Sequence, residues 1–171
     1  MNKRFLLTWL MLGCVLLTLD GCGFRLRGGT GVALSMPATY VAGDTASPAL
    51  LSELRQNLMG AGVVLVDKRE NSRAILTITG EEKSRRVLSV GAAGTAQEYE
   101  LRYAVTFMVS DHAGVEIVPA QTVARLRAVS FNESQVLAKG TEAELLYGDL
   151  RRDVVQGMVR RLSTVDKTVA H

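Results

Sequence analysis

An α+β fold is predicted: a two-layer sandwich in which two helices pack on one face of a mostly antiparallel four-stranded sheet. Three observations predict it. Residues 98–109 alternate strictly, with Tyr99, Leu101, Tyr103, Val105, Phe107 and Val109 on one face and Glu98, Glu100, Arg102, Ala104 and Thr106 on the other; that period of two describes a sheet with one apolar and one wetter face. Late in the chain the period changes: Leu146, Leu150, Val154, Met158 and Leu162 recur every four residues, widened by Val155 and Val159 and flanked by Arg151, Arg152, Arg160 and Arg161. That is an amphipathic helix of about six turns whose stripe suits a sheet better than a membrane surface. The third observation is a shorter helix, with Leu50, Leu51, Leu54 and Leu58 at helical spacing behind Ser47 and Pro48.

The elements follow in order. Residues 36–42 read as a short strand. Ser47 as N-cap and Pro48 at the first helical position start a helix over 48–59, and Gly60 and Gly62 stop it. Residues 63–66 are a short buried strand and 67–72 a polar turn. Residues 74–79, AILTIT, form a strand whose partner is VLSV at 87–90, and 91–94 form a loop. After the long strand, Asp111, His112 and Gly114 mark a turn. Residues 121–131 make the next strand, with Val123, Arg125, Arg127, Val129 and Phe131 on one face and Ala124, Leu126 and Ala128 on the other. Thr141 and Glu144 form a capping box, placing Lys139 in the connection that enters the last helix.

The N-terminus addresses the chain. Lys3 and Arg4 precede an uncharged run of 15 residues, Phe5 to Leu19, ended by Asp20. A membrane helix needs about 20 apolar residues, whereas a secretory signal uses about 7–15 behind a basic start. The residues before Cys22 resemble a bacterial lipobox, with Leu19 three positions upstream and Gly21 adjacent; Asp20 stands where a small or neutral residue is usual. The expectation is cleavage before Cys22 and lipidation of its sulfur. Several acyl chains on one cysteine anchor stably, because each buried methylene adds about 0.8 kcal/mol. Cys14 leaves with the signal, so no free thiol remains. The domain expectation is a signal peptide at 1–21, a lipidated N-terminus and linker at 22–35, a single α/β domain at 36–163 and a flexible tail at 164–171. Gly23, where lipoproteins kept in the inner membrane carry aspartate, indicates sorting to the outer membrane.

Composition narrows the rest. Formal charge is +3, falling to about +2 without the first 21 residues, too mild for a nucleic-acid partner, which calls for a clustered basic face. The basic groups are local: Arg25 with Arg27, Lys83 with Arg85 and Arg86, and Arg125 with Arg127. His112 and His171 have no cysteine or carboxylate at metal-ligand spacing, so no metal site is expected. No nucleophile elbow, HExxH or phosphate loop occurs, and Glu81 and Glu82, adjacent in a strand, point to opposite faces. The expectation is a binding protein, with no catalytic residues and no cofactor. Its arginines suit phosphate, to which the planar guanidinium binds through two parallel bonds.

Several segments, taken in order, resemble the LPS-assembly lipoprotein family LptE: CGFRLRG after the lipobox, TAQEYELRYAVTFMV at 95–109, and FNESQVLAKGTEAELLYGDLRRDVVQGMVRRL at 131–162. Order and spacing carry the likeness rather than any single motif. The resemblance implies a lipoprotein at the periplasmic side of the cell outer membrane that plugs the β-barrel of the LPS-assembly protein LptD one-to-one. It would assist assembly of that barrel and take part in delivering lipopolysaccharide to the surface, without enzymatic activity. It also implies a lipopolysaccharide contact at Lys139. A second family contact, in the loop before the long strand, aligns with Ala92; Arg85 and Arg86 nearby are offered as substitutes. The alternative from another class is a pilotin-like assembly factor for a different envelope machine. A soluble-ligand carrier comes third, since it needs a deep apolar pocket.

Overall fold

In the computed structural model of the chain the described residues are 34, 36–92, 94–130 and 139–169, with side chains excepted at 139–141 and 164–169. Cys22, the linker apart from Leu34, and residues 131–138 lie outside them. The elements are β1 (Thr39–Ala42), α1 (Pro48–Gly60), β2 (Ala74–Val90), β3 (Ala96–Asp111), β4 (Glu116–Ser130) and α2 (Lys139–Val169). The sheet order is β1-β2-β3-β4. β1 runs parallel to β2, and the other two pairings are antiparallel. The fold is therefore α+β with a four-stranded, mostly antiparallel sheet.

α1 forms where its leucines and cap require. The Ser47 hydroxyl accepts a hydrogen bond from the Leu50 amide at 3.3 Å, and Pro48 occupies the first turn. Leu50, Leu54 and Leu58 are fully buried. Gly62, at φ 89°, takes the left-handed turn that ends the helix, while the Val63 amide returns to the Leu58 carbonyl. The expected strand at 63–66 is only a bridge, Leu65 with Thr39. Residues 69–71 form a 3-10 turn within the expected polar turn.

β2 corrects the sequence reading. VLSV is not the partner of AILTIT but its continuation, in one strand of 17 residues. Both halves pair with β3, from Ala74 opposite Asp111 to Val90 opposite Ala96. The register slips between Ile78 and Gly80, leaving Thr79 as an extra residue. A bulge of this kind reverses which side chains face the core beyond it. Leu76 and Ile78 point at the helices before it, and Glu81, opposite buried Val105, does so after it.

One apolar layer joins sheet and helices. Leu101, Tyr103, Val105, Phe107 and Val109 of β3, with Val123 of β4, pack against the α1 leucines and against Leu150, Val154, Val155, Met158, Val159 and Leu162 of α2. Arg151 of α2 ties to Glu53 of α1 at 2.8 Å. The helix begins at Lys139, so Thr141 lies inside its first turn rather than capping it, and Lys139 is helical rather than part of the connection. α2 also continues to Val169, past the boundary at 163.

Candidate functional site

Cross-strand pairing decides which side chains can act together. Directly opposed residues share a face of the sheet. Arg85 stands opposite Leu101, on the helix-bearing face, while Arg86 stands opposite Glu100, on the other. The two adjacent arginines thus leave the strand on opposite faces, though both border one depression at the sheet edge. Arg85 lies over the Tyr99 ring, 4.7 Å from its centroid. Arg86 donates to Glu100 at 2.7 Å. Lys139 opens α2, but its side chain is outside the described residues, as is Cys22.

The helix-bearing face carries a polar cluster at the edge of the core. Glu81 accepts from the Tyr103 hydroxyl, from the Ser47 amide, and from the Ser47 hydroxyl at 2.9 Å. Ser47 thereby caps α1 and fastens it to β2. Burial pushes the Glu81 carboxyl up, but the bonds from Tyr103 and Ser47 and the charge of Lys83 outweigh it and hold the group below its usual value. The same pairing drives the Tyr103 hydroxyl well up, with burial the larger cause. Beside it, Lys83 lies 3.5 Å from Glu144 and 5.5 Å from the centre of the Tyr147 ring, and the Tyr147 hydroxyl donates to the Ser84 carbonyl at 2.9 Å. Burial raises the Tyr147 hydroxyl too. Every polar partner here is spoken for, as in a structural joint rather than a catalytic one.

The opposite face is polar and paired. Arg102 meets Glu82 at 2.7 Å, Ser89 meets Glu98 at 3.1 Å, and the Thr106 and Thr122 hydroxyls lie 2.8 Å apart. Glu81 and Glu82 do point to opposite faces, as adjacent strand residues must. Ser84, Arg85, Arg86, Glu100, Arg102 and Leu126 border a depression of 290 Å³. Of its three arginines, Arg86 and Arg102 are each matched by a glutamate, while Arg85 lies over the Tyr99 ring.

One grouping was not legible in the sequence as a site. Arg125 of β4 meets Arg160 and Arg161 of α2 around Gly157. The sequence links Arg125 to Arg127 by proximity, yet Arg127 turns to Asp149 at 3.4 Å. The only signal in the sequence was Gly157 inside the helical stripe, a residue that marks close approach. Among the described residues no group of three His, Cys, Asp or Glu side chains could hold a metal ion.

Comparison with known proteins bears on this architecture. Residues 31–162 match the family described as LptE, lipopolysaccharide-assembly. The LPS-assembly lipoprotein LptE of Yersinia pestis (strain Pestoides F) is 33% identical over 157 residues, 91% of this chain and 75% of that protein. The solution structure of lipoprotein B from Nitrosomonas europaea is similar with a TM-score of 0.68 at 30% identity, covering 82% of this chain and 90% of that one. Rare lipoprotein B from Shewanella oneidensis shares the fold, with a TM-score of 0.69 at 22% identity over 78% of this chain and 99% of that one. With a family match over most of its length and a relative at this level of identity, the chain belongs to the LptE lipopolysaccharide-assembly family.

Proposed function

We propose that this protein is an outer-membrane lipoprotein, anchored through Cys22 on the periplasmic side, that plugs the LptD β-barrel one-to-one and assists its assembly and the delivery of lipopolysaccharide to the cell surface. The match to the family over residues 31–162 carries the reading. The sheet face turned away from the helices supports it: its paired charges suit the polar interior of a large barrel. It acts by binding, not by catalysis. Lys139 and Arg85 are the proposed lipopolysaccharide contacts, with Arg86 acting only from the opposite face.

Isolation of the protein from native membranes in mild detergent, followed by mass spectrometry, tests the partner. A large β-barrel at equal stoichiometry is the expected result, because an obligate plug buries far more surface than a transient contact. Recovery with components of another envelope machine would favour the pilotin-like alternative, and recovery alone at every detergent strength would end the plug reading. The anchor has its own readout. The mature protein should begin at Cys22 and carry the mass of its acyl chains, Cys22→Ala should lose that mass, and a mature N-terminus at Met1 would refute it.

A further inference from the structure

β4 stands last in the sheet order, with β3 as its only neighbouring strand among the described residues. Its pairing fixes which backbone groups face outward. In an antiparallel strand the N–H and C=O of one residue point the same way, and successive residues alternate. The Thr122 carbonyl accepts from Arg161 Nη1 of α2 at 2.8 Å, and the Ala124 carbonyl accepts from Arg125 Nη1 at 2.9 Å. From Thr122 onward, then, the even-numbered residues turn their backbone away from β3. The register agrees. The Thr106 carbonyl of β3 accepts from the Thr79 hydroxyl of β2 at 3.3 Å, so the even residues of β3 face β2. That leaves its odd residues, Tyr99 to Val105, to bond with their partners Val129 to Val123. Leu126, Ala128 and Ser130 therefore direct their N–H and C=O groups to the open edge.

The edge changes character along its length. In the lower part Pro119 has no N–H, and a register shift interrupts the pairing between Phe107 and Val109. The Ala120 N–H is taken by Glu116 Oε1 at 3.1 Å, and Arg161 and Arg125 occupy the carbonyls of Thr122 and Ala124. Proline, bulges and charged side chains are the devices that keep an edge from adding another strand. They stop at Ala124. Among the described residues nothing bonds the outward groups of Leu126, Ala128 and Ser130, and all three residues are exposed. Residues 126–130 span about 17 Å at about 3.4 Å each.

We propose that the open edge at Leu126–Ser130 takes one extended segment of the barrel partner as a fifth strand, an inference that rests on the plug reading above. Each outward residue offers that segment one donor and one acceptor. A second copy of this chain fits the edge less well. A strand of this length cannot bury the roughly 1,200 Å² of a stable interface, and the guarded lower edge of each copy stops the pairing from being extended. A segment of the barrel needs no such area, because the rest of the plug's contact supplies it. Charge points the same way. β4 places Arg125 and Arg127 on one face and has no acid between Gln121 and Ser130, so a second β4 brings no carboxylate to that face. A partner segment with an acidic residue opposite Arg127 does; Arg127 holds Asp149 at 3.4 Å and has donors for a second carboxylate.

The complex isolated from membranes in mild detergent is compared with the isolated protein by residue-resolved amide hydrogen exchange. The amides of Leu126, Ala128 and Ser130 should exchange fast in the isolated protein and about tenfold or more slowly in the complex, whereas those of Arg127 and Val129, already bonded to β3, should be slow in both. A second arm uses proline. Ala128→Pro deletes one outward donor and keeps the bonds to β3, as proline on an edge strand does, and Ala124→Pro does the same in the guarded part. Each variant is co-expressed with an equal amount of wild type. Ala128→Pro should be recovered with the barrel about two- to tenfold less than wild type, the range for one hydrogen bond, and Ala124→Pro should be recovered equally. If Ala128→Pro does not fold, the exchange arm decides. A preparation without any barrel ends the plug reading and this proposal with it. A barrel that co-purifies while the edge amides stay fast, equal recovery of Ala128→Pro and wild type, or equal loss in both proline variants overturns the strand addition alone. Edge amides already slow in the isolated protein would overturn it too, showing a second copy if the slowing grows with protein concentration and cover by the chain itself if it does not.

Discussion

Ala74, Ile75, Leu76 and Ile78 of β2 are each at most 2% exposed, while Val87, Leu88 and Val90 of the same strand are 51, 43 and 63% exposed. Both halves pair with β3, the upper one with two further register shifts beyond Val87, so the presence of strand pairing does not separate them. Cover does. α1 and α2 pack on the lower half, and the last described contacts of α2 with β2 are Glu144 with Lys83 and Tyr147 with Ser84. Beyond them the hairpin continues to Val90. Burial of apolar area is the main favourable term in folding. The lower half therefore holds the domain together, and the upper half, kept in register by strand pairing, is available to a partner.

The largest effect that would break this comparison is a cavity below against a truncation above. Leu54→Ala, at a fully buried position, should cost about 2–5 kcal/mol. Val87→Ala should change stability by no more than about 0.5 kcal/mol. Urea midpoints at unchanged slope give both values. A loss at Val87 equal to that at Leu54 would mean that the upper hairpin is core after all.

The boundary between the halves should show a smaller loss with a pH signature. Tyr103→Phe removes a buried hydroxyl donor from Glu81 and should cost about 1–3 kcal/mol. Glu81 is held below the ordinary carboxylate value in the folded state. Its stabilisation is therefore complete above the unfolded carboxylate range and is lost as pH falls through the lower folded value. Wild type should thus lose stability as pH falls below the ordinary carboxylate range, and Glu81→Gln should flatten that part of the profile. Parallel wild-type and Glu81→Gln profiles would show that the Ser47–Glu81–Tyr103 joint contributes nothing that depends on charge.

The same division explains what was legible in the sequence. Elements with a full apolar period, α1, β3 and α2, are where spacing put them, because burial writes the period into the chain. By spacing alone β2 divides into two strands, because EEKSRR has no apolar period to join AILTIT to VLSV. The bulge at Thr79 had no signal, since an extra residue alters register without altering composition. Arg85 and Arg86 were grouped by adjacency, yet strand neighbours point apart. Arg125, Arg160 and Arg161 come from distant segments, so only folding brings them together.

A third test sharpens the functional side of the comparison. Lys139→Glu with Arg85→Glu should weaken lipopolysaccharide binding, most at low salt, where screening is least. Stability should stay within about 0.5 kcal/mol of wild type, because Arg85 stands on the exposed half of β2 and exposed charges contribute little. Wild-type affinity in the folded double variant would withdraw both positions as contacts.

The smallest effect bears most directly on whether the upper hairpin is bare. Arg86 and Glu100 meet at 2.7 Å across the strands, with side chains 71% and 18% exposed. Water still reaches the guanidinium, so its attraction to the carboxylate is screened and the two side chains give up rotamer freedom to meet. A double-mutant cycle of Arg86→Ala and Glu100→Ala should return a coupling of about 0.2–1 kcal/mol, shrinking as salt is added. Glu53 and Arg151, which join the two helices at 2.8 Å with 17% and 22% exposure, should couple more strongly, since less solvent stands between charge and partner. Run on the isolated protein and again with a bound barrel, the Arg86–Glu100 cycle becomes a probe of cover. A coupling that is unchanged by the partner would place the docking surface elsewhere, and one that rises and resists salt would place it on the face carrying Arg86, Glu100 and Arg102.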